Sequence, residues 1–115
     1  NTPFGKMPSG TVELTIKLLA MLRILLPTSM LPATTAVGTL DPLGREKALK
    51  AGANVVMPNL SPIDVRSKYL LYDNKICTGD EAAECRNCIE RRINSAGFVL
   101  SKSRGDHVNH TKTNA

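Results

Sequence analysis

Two short apolar runs dominate the hydrophobic pattern, at residues 30–36 and 53–57. Each run ends in small or polar residues or in proline, and a mixed segment at residues 45–50 lies between them. Short apolar runs that alternate with helical segments are typical of parallel β/α units, whose strands are covered on both faces. The pattern therefore predicts two parallel strands joined by a helix, with Gly52 capping the carboxyl end of that helix.

A longer and almost wholly apolar segment precedes the first predicted strand. Thr11 is a suitable N-cap, while Glu13 and Arg23 complement the helix dipole at the two ends. Pro27 stops the helix, which we predict to run to about Leu26 and to be largely buried.

The rest of the chain predicts shorter or less regular elements. We expect loops at residues 1–10, 38–44 and 59–64, a short helical segment at 67–72, a helix at 80–95, a short strand at 98–100 and a polar tail at 101–115.

Two strands are too few for an independent parallel sheet, so we expect further strands to come from elsewhere. At 115 residues the chain is also too short for a complete eight-unit barrel, which needs roughly 200 residues. The sequence does not begin with Met. We expect it to be a piece of a longer protein.

The amino-acid composition argues against nucleic-acid binding and against a membrane span. The net charge is +5, but the basic residues are scattered rather than clustered with aromatics, which disfavours nucleic-acid binding. Lys17 and Arg23 interrupt the longest apolar stretch, at residues 14–26, which is too short for a membrane span. With no Trp, two Phe and two Tyr, the core is expected to be aliphatic.

Thr34, Thr35 and Met57 lie at the predicted carboxyl ends of the strands, where parallel β/α folds carry their chemistry. The threonine hydroxyls can either make local hydrogen bonds or bind an anion such as a carboxylate. Met57 can fill the core or line a cavity. Tyr69 and Tyr72 are predicted to share one face of a short helical segment. Taken singly, each residue has a commoner structural explanation.

Cys77, Cys85 and Cys88 all lie in one short window with a C-x7-C-x2-C spacing. On the predicted helix, Cys85 and Cys88 share a face, and Cys77 lies in the preceding loop. The spacing favours a metal or iron–sulfur site, with His107 or His110 as a fourth ligand if the metal is zinc. Three ordinary cysteines are the next alternative, and a disulfide, which leaves an odd thiol, is the last.

Taken together, these motifs closely resemble FeFe-hydrogenase maturases of the HydE type. The resemblance is carried by the run PATTAVGTLDPLGREKALKAGANVVMPNLSP, by Tyr69-x-x-Tyr72 and by the cysteine spacing, and it extends over residues 2–105. These maturases are radical S-adenosylmethionine (SAM) enzymes related to biotin synthase and methylornithine synthase. The resemblance implies a (β/α)8 TIM-type barrel.

By position, this chain looks like the C-terminal third of that barrel: helix 6, strand 7, helix 7, strand 8 and a C-terminal extension. The resemblance divides it into a barrel portion at residues 1–76, an auxiliary iron–sulfur loop and helix at 77–100, and a polar tail at 101–115.

The resemblance also implies roles for individual residues. Thr34 and Thr35 match threonines that bind the substrate carboxylate and face SAM. Met57 matches a cavity-lining methionine, and Tyr69 and Tyr72 match tyrosines that contact substrate.

The three cysteines, Cys77, Cys85 and Cys88, match ligands of an auxiliary 2Fe–2S or 4Fe–4S cluster that only some family members have.

The implied parent reaction is reductive cleavage of SAM at a 4Fe–4S cluster, with a radical that acts on an iron complex or small sulfur-containing substrate. The CxxxCxxC motif for that cluster is absent from this sequence. We therefore expect the parent to be an enzyme and this chain alone to be inactive. The implied partners are the rest of its own barrel and other hydrogenase maturases, in the cytoplasm or, in a eukaryote, an organelle matrix.

Two alternatives remain open at this point. One is a radical SAM enzyme closer to biotin synthase or methylornithine synthase, with a different substrate. The other is a small stand-alone metal-binding module that depends on its cysteines alone and folds only with metal.

Overall fold

The computed structural model describes residues 3–69 and 82–110, with the backbone alone for residues 82–85. The elements in chain order are α1 (Val12–Leu25), β1 (Pro32–Ala33), α2 (Thr35–Leu40), α3 (Gly44–Lys50), β2 (Val55–Val56), α4 (Ile63–Arg66), a short 3-10 helix (Ser67–Tyr69) and α5 (Ala82–Ser95).

Helix α1 forms where the pattern predicts it. The Thr11 hydroxyl accepts a hydrogen bond from the Leu14 amide at 3.2 Å, which satisfies one of the free donors of the first turn. Within this chain Leu19 is the one buried side chain of α1, so the expected burial of the helix is not reached by the described residues and stays a prediction for the longer protein. No helix in the described part has the length and apolarity that a membrane span requires.

The two predicted strands pair in parallel. Pro32 pairs with Val55 and Ala33 with Val56, so the α/β architecture is confirmed for a small two-stranded sheet. Each strand is only two residues long, shorter than the apolar run that predicts it. The barrel itself stays a prediction.

A side chain extends this ladder at its amino end. The Asn54 carboxamide oxygen accepts a hydrogen bond from the Leu31 amide at 2.8 Å, and the Leu31 carbonyl accepts the Asn54 amide at 2.8 Å. The one polar residue in the second apolar run therefore fixes the register of the sheet.

The end of the predicted first strand is wrong, and the predicted loop at residues 38–44 is confirmed only at 41–43. Helix α2 occupies Thr35–Leu40, and Thr34 is its N-cap. The β-branched residues of the run favour a strand, but a threonine hydroxyl that caps the first turn favours a helix start, and the cap prevails here.

Helices α2 and α3 approach closely at Gly44. A Cβ atom there would lie 2.2 Å from the Val37 carbonyl oxygen, so only glycine allows this contact. At the other end of α3, the predicted cap is confirmed: Ala51 is the C-cap and Gly52 follows with φ 118°.

Arg23 joins α1 to that turn. Its Nε donates to the Gly52 carbonyl at 2.8 Å, and its Nη1 donates to the Pro27 carbonyl at 2.7 Å. The residue predicted to complement the dipole of α1 thus also ties the end of α1 to the end of α3.

The core is aliphatic, as predicted, and joins α1, the sheet, α2, α3 and α5. Its buried members are Leu19, Leu31, Ala33, Val37, Ala48, Leu49, Ala53, Ile89, Ile93 and Ala96. The predicted helix at 80–95 is confirmed over α5, and three of these core residues belong to it or follow it directly. The core of the β/α unit therefore continues into the helix that carries two of the cysteines.

The strand predicted at residues 98–100 is wrong. Gly97 has φ 90°, and the Phe98 amide donates back to the Ile93 carbonyl at 3.1 Å, which closes the end of α5. The backbone that follows is irregular rather than extended in a ladder.

Candidate functional site

The carboxyl ends of the two strands define the candidate site. Because Ala33 pairs with Val56, the next residues, Thr34 and Met57, leave the sheet at the same edge. In parallel β/α folds this edge is where ligands bind. The structure thus brings together the strand ends that the sequence singles out.

Thr34 is half-buried and has a structural task. Its hydroxyl oxygen accepts a hydrogen bond from the Val37 amide at 3.3 Å, which caps α2. A hydroxyl has one proton to donate and two lone pairs. The cap occupies a lone pair of Thr34 and leaves its proton available to a ligand.

Thr35 is also half-buried, and two side chains donate hydrogen bonds to it. Its hydroxyl oxygen accepts a hydrogen bond from Nη2 of Arg45 at 3.1 Å, and its carbonyl accepts one from the Thr39 hydroxyl at 3.0 Å. Arg45 is only 3% exposed. Sequence reasoning missed this residue, because an arginine in the mixed segment Gly44–Lys50 resembles a solvated helix position.

Met57 and Tyr69 lie on the exposed surface of the described residues. Each side chain is 57% exposed, so neither is core filler in this structure. Tyr69 ends the short 3-10 helix, which confirms the predicted helical segment up to that residue. Tyr72 lies outside the described residues.

Arg66 fixes the loop between Met57 and Tyr69. Its Nε donates to the Ser61 carbonyl at 2.7 Å and its Nη2 donates to the Asn59 carbonyl at 3.3 Å, with the side chain 3% exposed. This buried arginine was also missed, because no periodicity marks it as inward-facing. It anchors α4 to the loop that follows β2.

The cysteine site is only partly described. Helix α5 places Cys85 and Cys88 three residues apart, and Cys88 is a half-buried free thiol. Cys77 and the side chain of Cys85 lie outside the described part. Among the side chains described, which include His107 and His110, no group of three His, Cys, Asp or Glu residues is arranged to hold a metal ion.

Helix α5 is attached to α3 by a salt bridge. Nε of Arg92 donates to one carboxylate oxygen of Glu46 at 2.7 Å and Nη2 donates to the other at 3.1 Å. Burial raises the pKa of Glu46, but the hydrogen bonds from Arg92, a backbone hydrogen bond and the positive charges of Arg92 and Arg45 together outweigh burial, so the pKa lies below its ordinary value. Glu46 is therefore ionised at neutral pH.

A groove of about 380 Å³ lies away from the threonines. Met30 and Asn54, which precede the two strands, form part of it together with Phe98, Leu100 and Gly105. The groove also follows β2 along Val55 and Val56, and neither Thr34 nor Thr35 lines it.

No protein-family model matches the chain. The [FeFe] hydrogenase maturase subunit HydE of Thermotoga maritima is 45% identical to it over 97 residues, which are 84% of this chain and 28% of that protein. The chain therefore spans less than a third of the length of the relative that it matches. The resemblance seen in its motifs is confirmed, and the chain belongs to the HydE family as the counterpart of one part of that protein.

Proposed function

We propose that this chain forms the strand 7 to strand 8 portion of a radical SAM barrel, in an enzyme of FeFe-hydrogenase active-site assembly. The observation that carries the proposal is the parallel pair of strands that ends in Thr34 and Met57 at one edge. The 45% identity to HydE supports the assignment to this family of enzymes rather than to other β/α proteins.

The threonines are proposed to bind a carboxylate. Both Thr34 and Thr35 accept a hydrogen bond from the protein, at 3.3 Å and 3.1 Å, and keep a proton to donate. Two hydroxyl donors at neighbouring positions suit an anionic group. Met57, Tyr69 and Tyr72 are proposed to line the cavity around that group and to exclude water from it.

We propose that residues of the parent protein outside this chain hold the cluster that cleaves SAM. In enzymes of this type, a reduced 4Fe–4S cluster there would supply the electron that cleaves SAM. The cysteines of this chain do not fit that cluster, because none of their spacings is CxxxCxxC. The residues described here bind and orient ligands rather than cleave SAM.

The exposed face of α1 supports the proposed partner, the rest of the same barrel. All but one of its exposed large apolar side chains, Ile24 being the exception, recur at helical spacing and form one stripe: Leu14, Leu18, Met21, Leu22 and Leu25. Such a stripe normally packs on a sheet. We propose that strand 6 of the parent covers it.

Cys77, Cys85 and Cys88 are proposed to hold an auxiliary 2Fe–2S or 4Fe–4S cluster. Support comes from the i, i+3 placement of Cys85 and Cys88 on α5 and from the half-buried state of Cys88. The salt bridge between Arg92 of α5 and Glu46 of α3 keeps the helix that carries Cys85 and Cys88 next to the β/α unit.

The proposal is tested with a hybrid enzyme, in which this chain replaces the matching residues of Thermotoga maritima HydE. The hybrid is reconstituted with iron and sulfide without oxygen, reduced, and supplied with SAM. We expect 5′-deoxyadenosine to form. A double variant, Thr34→Val with Thr35→Val, serves as the matched control and should form much less. A folded, cluster-loaded hybrid that forms no 5′-deoxyadenosine contradicts the proposal.

A further inference from the structure

Arg45 is a buried cation that the hydrophobic pattern does not explain. It lies on α3, is 3% exposed, and donates from Nη2 to the Thr35 hydroxyl at 3.1 Å. Charged side chains are rarely buried to this degree unless they are paired or have a task. One of its contacts is with a threonine at the end of the sheet that carries the candidate site.

The contact with Arg45 determines what Thr35 can do. A threonine hydroxyl has one proton and two lone pairs, and a guanidinium has donors only. With Arg45 donating to its oxygen, Thr35 presents its proton as a donor to whatever lies on the other side. A nearby positive charge also strengthens a hydrogen bond from that hydroxyl to an anion.

We propose that Arg45 is a positioning residue, which holds the Thr35 hydroxyl as a donor to a ligand carboxylate and adds a buried positive charge behind it. The inference rests on the proposed function, because it assumes that Thr35 faces the ligand cavity. The carboxylate belongs either to SAM or to a second, amino-acid-like ligand.

Glu46 and Arg92 are charged neighbours of Arg45. Glu46, the next residue on α3, makes its two hydrogen bonds to Arg92 of α5, at 2.7 Å and 3.1 Å. The positive charge of Arg45 also helps to lower the pKa of Glu46, so this carboxylate lies near both arginines, while Nη2 of Arg45 donates to the Thr35 hydroxyl on α2. Lysine would keep the charge but lose the planar fork of donors.

The test measures ligand binding to the hybrid enzyme by equilibrium dialysis. SAM is compared with decarboxylated SAM, and cysteine with cysteamine, so that each pair differs by one carboxylate. We expect Arg45→Gln to weaken binding of the carboxylate form in one pair about ten-fold, the effect of losing one charge-assisted hydrogen bond. Binding of the decarboxylated form should not change, and Arg45→Lys should recover part of the loss. The affected pair identifies the source of the carboxylate.

A double-mutant cycle separates positioning from general stability. If Arg45 acts through Thr35, Arg45→Lys should have little further effect once Thr35→Val is present. Arg92→Lys is the structural control and should leave the preference for carboxylate forms unchanged. If the Arg45 variants do not fold, the Thr35→Val variant alone tests the proposal. It removes the hydroxyl that Arg45 contacts and keeps the charge of Arg45.

The inference is overturned if Arg45→Gln weakens the binding of both ligands in a pair equally. It is also overturned if Arg45→Gln weakens the binding of no ligand in either pair. It is also overturned if Thr35→Val leaves the carboxylate preference intact. An unmodified hybrid that does not bind SAM is a different result, since it contradicts the proposed function itself.

Discussion

Arg92 on α5 donates two hydrogen bonds to Glu46 on α3, one to each carboxylate oxygen. The same guanidinium also donates to the Pro42 carbonyl. The helix that carries Cys85 and Cys88 is therefore attached to the β/α unit by charge as well as by the apolar core. Removal of either charged partner should loosen that attachment.

The Glu46–Arg92 pair predicts a dependence of stability on pH. Because the pKa of Glu46 is lowered in the folded protein, its contribution is present at neutral pH and is lost as the pH falls below the usual value of 4.5. Glu46→Gln should therefore lower the free energy of unfolding of the hybrid by about 1–3 kcal/mol at neutral pH. The difference should shrink under acidic conditions, as measured by urea unfolding.

Asp64→Asn is the control for that series, since Asp64 is exposed. It should change the free energy of unfolding little at either pH. A gap between Glu46→Gln and the parent that stays the same at acidic pH would show that the Glu46 carboxylate does not stabilise the fold.

Gly44→Ala should destabilise the protein. The new methyl group would lie 2.2 Å from the Val37 carbonyl oxygen, so α2 and α3 would have to separate. Overpacking of this kind costs about 1–3 kcal/mol. Gly10→Ala, whose Cβ has no atom within 4 Å, is the matched control. Equal urea midpoints for the two variants would contradict the close approach of the helices.

Substitution of Thr34 should affect both the cap of α2 and the binding of the ligand. Thr34→Ala removes the hydrogen bond to the Val37 amide and should cost about 0.5–2 kcal/mol of stability. Thr34→Ser keeps the hydroxyl and should restore both the urea midpoint and the SAM cleavage rate. A Ser variant that is stable but inactive would show that the methyl group, rather than the hydroxyl, matters to the ligand.

The cysteines should be dispensable for SAM cleavage. In the hybrid, the triple variant Cys77→Ser, Cys85→Ser, Cys88→Ser should bind less iron and still form 5′-deoxyadenosine, because its catalytic cluster is held by other residues. Iron content and product are measured on the same preparation. Complete loss of product with the catalytic cluster intact would assign these thiols to the reaction.

The hydrophobic pattern was enough to predict α1 and the parallel pair. Both predictions rest on strong local sequence patterns: a capped apolar helix, and two apolar runs separated by a helix. The pattern misassigned residues 35–40, because the helix start there depends on one side-chain cap, the hydrogen bond that the Thr34 hydroxyl accepts from the Val37 amide.

The candidate site was predicted only in part. The threonines and Met57 follow from the rule that chemistry lies at strand ends. Arg45 and Arg66 do not, because their burial depends on partners in other segments, namely the Thr35 hydroxyl and the Ser61 carbonyl. Such contacts leave no periodic signal in the sequence.

The most direct test of the central claim is to read the coding sequence upstream of Asn1. If the chain is the later part of a radical SAM barrel, an open reading frame should continue upstream for about 200 residues and encode CxxxCxxC. A start codon immediately before Asn1, with no such frame, would contradict the claim and leave the chain to act without the cluster that cleaves SAM.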